Sequence, residues 1–225
     1  MVAVLVLMTF VIFVLVDFYL QRGAPQPAQV LIPAKEKETE DAAFPMSVVG
    51  GFRMPARLAY HPGHGWAARE TKQMVRVGLD DFAAHLLGQV DRVELPARGR
   101  WLRQGERAWT LVRGKHRFDM LSPIEGEVVD VNAEVLEDAA LAHKDPYGAG
   151  WLVAVHAPAA EANLKNLLRG RLAERWMEES VATLYRRIDG GTGVHLQDGG
   201  RAVPDIIAQV PEERWEKLAR ELFLS

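Results

Sequence analysis

No cysteine occurs among the 225 residues, which removes disulfides, cysteine metal ligands and thiol nucleophiles together. That absence suits either side of a membrane and leaves the compartment open. Charge of one sign is not in excess: 27 Lys and Arg stand against 30 Asp and Glu, and a net charge of −3 points to no nucleic acid and no acidic surface as a general partner. The chain shows no Ser-His-Asp set and no kinase-like set, so no catalytic residue is expected. His61 and His64 have a His-x-x-His spacing, but Pro62-Gly63 makes this a turn and no third ligand accompanies it, so no metal site is expected either. Asp80 and Asp81 open a helical pattern and read as a helix start, not as a catalytic carboxylate pair. The glycines of residues 188–200 do not follow a strand-to-helix phosphate pattern and read as tight turns.

What the chain does have begins at its N-terminus. From Val2 to Val16 only Thr9 is not apolar, and Phe18, Tyr19 and Leu20 follow Asp17. At about 1.5 Å per residue this run spans a hydrocarbon core. No Lys or Arg precedes it and no small-x-small site directly follows it, which favours an uncleaved transmembrane helix over residues 1–21, in contact with membrane lipid, above a signal peptide. Arg22, Lys35 and Lys37 lie after the run, so the positive-inside tendency predicts a single-pass protein with its body in the cytoplasm. Residues 22–56 are rich in Pro, Ala, Gln and mixed charge, without a sustained apolar period, and read as a flexible linker.

Between Leu58 and Leu168 the pattern changes to short apolar runs separated by Gly, Pro or Asp, among them MVRVGL (74–79), AWTLVR (108–113), RFDMLS (117–122), GEVVDVN (126–132) and GWLVAVH (150–156). This spacing predicts a compact β-rich barrel or sandwich. Two helices are predicted within it, DDFAAHLLG (80–88), capped by Asp80 and Gly88, and PAAEANLKNLL (158–168). WTLV (109–112) and RFDML (117–121) read as paired strands, which puts Lys115 in an exposed hairpin loop after Gly114.

Four blocks in order resemble the H protein of the glycine cleavage system: YHPGHGWA (60–67), with His64 and Trp66 at family positions for surface or packing roles; VRVGLDDFAAHLLGQVDRVELPARG (75–99); SPIEGEVVDVN (122–132); and KDPYGAGWL (144–152). The resemblance implies a mainly β fold with short helices, a lipoyl/biotinyl-type barrel-sandwich over residues 57–169. It also implies a carrier protein rather than a catalyst. Lys115 lies eight residues before Pro123, where the family carries its lipoyl-lysine. Gly126 eleven residues after it, Gly99 sixteen before it and Glu125 complete the supporting pattern. By the same resemblance, lipoate on Lys115 would take an aminomethyl group from glycine decarboxylase, give it to an aminomethyltransferase and be reoxidised by a dihydrolipoyl dehydrogenase. The chain departs from the family's Glu-Ser-Val-Lys-Ala around the lysine: Val112 stands in place of the acidic residue, and the neighbours Arg113, His116 and Arg117 are basic. Two readings of Lys115 therefore stay open. One is a lipoyl-lysine. The other is a solvated turn lysine in a non-lipoylated, membrane-anchored interaction module that kept only the fold.

Residues 170–225 are expected to form a small α+β appendage. It comprises a helix over 171–188 with Leu172, Trp176, Val181, Leu184 and Ile188 on one face, a short hairpin over 193–206 and a closing helix over 211–224 with Trp215, Leu218 and Leu222 inward.

Overall fold

Short runs of two to seven residues build eleven antiparallel strands in the computed structural model, which describes residues 45–188 and 204–224. In chain order they are β1 (Met46–Val49), β2 (Phe52–Pro55), β3 (Ala59–Tyr60), β4 (Gly65–Arg69), β5 (Met74–Leu79), β6 (Arg92–Glu94), β7 (Trp101–Leu102), β8 (Arg107–Arg113), β9 (His116–Leu121), β10 (Gly126–Val131) and β11 (Val153–His156). Six of them form one sheet in the order β3-β4-β5-β11-β10-β7. A second sheet has the order β6-β8-β9, and β1 and β2 pair as a separate hairpin. Trp66, Trp109, Phe82, Phe118, Leu102 and Met120 fill the core.

The helices are α1 (Asp81–Leu87), α2 (Ala133–Glu137), α3 (Leu141–Lys144), α4 (Ala160–Lys165), α5 (Gly170–Ile188) and α6 (Trp215–Phe223), with short 3-10 turns at Ile206–Gln209 and Glu212–Arg214. α1 begins where the sequence places it. The Asp80 carboxylate accepts a hydrogen bond from Ala83 N at 2.8 Å, and Gly88 ends the helix at φ +62°. Gly78 has a packing reason to be glycine, because a Cβ there would lie 2.7 Å from the Trp66 indole.

The structure differs from the sequence reading in three places. Residues 46–55, assigned above to the linker, form the β1–β2 hairpin: Gly50 and Gly51, both with positive φ, turn it, and the alternation in MSVV and FRMP pairs across it. In α5 the inward face is Ala173, Met177, Ser180, Val181 and Leu184, whereas Leu172 is 60 % exposed. Val181 and Leu184 face inward as expected, and Trp176 and Ile188 pack partly buried against the core, so of the expected face Leu172 alone, at the start of the helix, is turned to solvent. The short helices α2 and α3 were not expected. Among the described residues no helix is long and apolar enough to cross a membrane. The run expected to span one, residues 1–21, lies outside the described residues, as do the rest of the expected linker up to residue 44 and most of the expected 193–206 hairpin.

Candidate functional site

β8 and β9 pair in register from Val112↔Arg117 to Arg113↔His116, which leaves Gly114 and Lys115 as a two-residue loop. Gly114 has φ +57° and Lys115 does not adopt positive φ, the pattern of a type II′ turn, with glycine at its first central position. No atom lies within 4 Å of where a Gly114 Cβ would sit, so the tip projects into open space. The Lys115 side chain is 76 % exposed, and its Nζ lies 3.2 Å from Glu212 Oε1. An acyl arm on this amine would leave the body without meeting core atoms, so the residues present fit a covalent arm.

The flanks of the tip are held by the C-terminal segment. Arg113 donates from both terminal nitrogens to the Asp205 carboxylate, the second bond at 2.9 Å, and also to Leu87 O at 2.6 Å; its guanidinium stacks 4.8 Å over the Trp215 ring. Trp215 Nε1 donates to Val210 O at 2.8 Å, which fixes the ring. His116 is buried, with Nε2 2.8 Å from Glu212 Oε1, Nδ1 3.3 Å from Glu216 Oε1 and its ring 5.2 Å from Trp215. The His116 hydrogen bond first, and Lys115 second, hold the Glu212 carboxyl below the usual carboxylate range. Arg117 pairs with Glu94 on β6, donating from one terminal nitrogen at 3.0 Å. The basic neighbours that set this hairpin apart from the family pattern are thus matched by carboxylates remote in sequence. The sequence reading of a closing helix over 211–224 did not include this contact. The signal was present as an excess of unpaired cations at the tip and an acidic run, PEERWE (211–216), in the appendage.

The other residues singled out from the sequence lie elsewhere. Gly99 N donates to Val128 O at 2.7 Å, and Gly126 pairs with Leu102, so both glycines serve the junction of β7 and β10. At Gly126 a Cβ would lie 2.3 Å from His156 O, a backbone approach only glycine allows. Glu125 is exposed, and its backbone N donates to Asn163 Oδ1 at 2.6 Å. His64 and Trp66 are both about 1 % exposed, so of the two roles considered for them burial leaves packing. His64 Nδ1 lies 2.8 Å from Asp80 Oδ2, with its ring between Phe82 and Trp176; Trp66 Nε1 donates to Pro146 O at 3.0 Å. His61 Nδ1 accepts from Gly63 N at 3.0 Å, as a turn residue does, and burial pushes its imidazole pKa down. Asp81 pairs with Arg53, accepting from the terminal nitrogen at 2.7 Å and from the backbone N at 2.9 Å, which ties β2 to α1.

Comparison with known proteins points one way. Residues 58–180 match the family model described as "Glycine cleavage H-protein". The glycine cleavage system H protein of Mycobacterium leprae (strain Br4923) is 40 % identical over 103 residues, covering 46 % of this chain and 78 % of that protein. That of Mycobacterium avium (strain 104) is 38 % identical over 129 residues, covering 54 % of this chain and 98 % of that protein. A crystal structure of a glycine cleavage system H protein from Mycobacterium marinum, 30 % identical, covers 56 % of this chain and 98 % of its own, with a TM-score of 0.48.

Proposed function

The chain belongs to the glycine cleavage H-protein family, and from that premise we propose that it is a membrane-tethered lipoyl carrier whose lipoate is held in amide linkage by Lys115. H proteins carry lipoate on a lysine and are carriers rather than catalysts, and this chain is a carrier in the same sense. The observation that carries the assignment to Lys115 is its place at the exposed tip of a two-residue hairpin, at the spacing from Pro123 that the resemblance requires. Lipoate supplies a dithiolane that is reduced and reoxidised and a thiol that bears the transferred group.

The chain's own residues do the rest. Paired over six residues of register, β8 and β9 form a stiff stalk. Gly114 supplies the turn, and Trp109, Leu111 and Phe118 root the stalk in the core. A tethered arm makes each transfer between enzyme sites effectively intramolecular. The partners proposed are those of the family: glycine decarboxylase, an aminomethyltransferase and dihydrolipoyl dehydrogenase.

Intact mass of the full-length protein from its own host, with peptide mapping over residues 108–122, tests the assignment. A lipoyl increment on Lys115, absent from Lys115→Arg, is expected. An unmodified Lys115 in cells whose other lipoyl proteins are modified sinks it.

The tether rests on the apolar run of residues 1–21, and the cytoplasmic body on the basic residues that follow it. The chain is expected to stay with membranes through alkaline carbonate washing, and deletion of residues 1–21 is expected to release it. Trypsin should digest the body in inverted vesicles and spare it in right-side-out ones; the opposite pattern refutes a cytoplasmic body.

A further inference from the structure

The tip of the hairpin, taken alone, is cationic: Arg113, Lys115, His116 and Arg117 crowd four of five consecutive positions. A basic partner protein would be repelled by it. In the folded chain these cations are met by Asp205, Glu212 and Glu216, all beyond the residues that match the family model, which sets half-exposed carboxylates beside Lys115. We propose that Glu212 and Glu216 are specificity-determining residues for acylation of Lys115. The C-terminal segment and the hairpin form one composite acceptor surface, and the attaching enzyme docks on these carboxylates through a basic face of its own. The inference rests on the reading of Lys115 as the carrier lysine.

Two contrasts in the structure carry it. The segment is fixed, not a lid: Ile207, Val210, Leu218 and Phe223 are buried in the core, and Gly88 gives way to the Asp205 side chain, which would lie 2.9 Å from a Cβ there. A partner therefore meets the carboxylates in place. The Lys115–Glu212 contact, by contrast, is open to solvent at both ends, 76 % and 53 % exposed, and such pairs are weak. The amine leaves it easily. Glu212 does not drift when that happens, because the buried His116 holds the same Oε1 at 2.8 Å. Glu212 and Glu216 are themselves about half exposed, so they remain available to a docking partner.

In the reaction, the neutral Nζ attacks the carbonyl carbon of an activated lipoyl donor, a mixed acyl–phosphate anhydride or a thioester. The N–C bond forms and the bond to the phosphate oxygen or thiol sulfur breaks. The leaving group takes the electron pair, one amine proton passes to water, and nothing is oxidised or reduced. The product amide is neutral, so the charge that faced Glu212 disappears on modification.

The test supplies the purified full-length chain with lipoic acid, ATP and an extract of its own host, and follows Lys115 occupancy by intact mass at several concentrations of the chain. The doubly substituted Glu212→Gln, Glu216→Gln chain is expected to lose about tenfold or more in initial rate, through KM and not kcat, since docking charges act on encounter. Glu212→Asp restores most of the rate in the Glu216 wild-type background, and Glu161→Gln, an exposed carboxylate on α4, leaves it unchanged. A doubly substituted chain acylated at the wild-type rate overturns the inference and leaves the carrier reading intact. A wild-type chain that is never acylated overturns both.

Discussion

Phe223→Ala is expected to destabilise the folded body by about 3–5 kcal/mol, the range for emptying a fully buried aromatic site. The ring is 0 % exposed and stands edge-on to the His64 imidazole at 6.0 Å. Its backbone is fitted as closely: a Cβ on Gly63 would lie 2.4 Å from Phe223 O, so the end of α6 rests directly on the turn that opens the body. A loss of this size corresponds to a fall of roughly 10 °C in Tm for a chain of this length. Urea unfolding followed by tryptophan fluorescence checks it. The whole transition should move to lower urea with its slope unchanged, because core tryptophans such as Trp66 and Trp109 report the same event as Trp215. A transition in which the core signal stays put would make the C-terminal segment a separate, peripheral unit. The fixed composite surface around Lys115 would then lose its support as well.

The parts of this fold that were legible in the sequence are those whose signals are local. MVRVGL became β5 to the residue, and the Asp80 and Gly88 caps bound α1 as read, because a side-chain cap and a left-handed glycine act within one turn of chain. The hairpin that presents Lys115 was legible for the same reason: two alternating runs and a glycine determine it. The β1–β2 hairpin was just as local, with Gly50-Gly51 between alternating strands, and was overlooked because the Pro-rich, charged composition on its N-terminal side dominated the reading of the whole stretch. What no local signal could supply was the partner of each charge. Arg113 finds Asp205 92 positions away and His116 finds Glu212 96 positions away. The first pair depends on the Ile206–Gln209 turn lying against α1, the second on α6 lying against β9. The cations around Lys115 looked like a departure from an acidic hairpin, whereas the folded tip has its carboxylates supplied from elsewhere.

The same separation between local and remote determinants sets the second large effect, at Asp80. Its carboxylate is fully buried and divided between two tasks: Oδ1 caps α1 through Ala83 N at 2.8 Å, and Oδ2 faces His64 Nδ1 at 2.8 Å. His64 needs that partner. It is buried, sits at φ +61°, where a non-glycine residue is strained, and stacks on Phe82 at 4.1 Å with the tilted Trp176 ring at 4.7 Å. Asp80→Ala removes the cap, worth about 1 kcal/mol, and takes the hydrogen-bond partner from a buried imidazole nitrogen, worth about 1–3 kcal/mol. The expected loss is therefore about 2–4 kcal/mol, read from the urea midpoint. Asp80→Asn separates the two tasks. Its amide oxygen can still accept from Ala83 N while its NH2 replaces the oxygen that faces His64, so it should recover at least the cap. If Asn costs as much as Ala, recovery of the cap is offset by loss of the carboxylate oxygen that faces His64. Either way Lys115 should still be acylated at the wild-type rate below the unfolding range, because Asp80 supports the body on which the hairpin stands and the carboxylates that face the partner are Glu212 and Glu216.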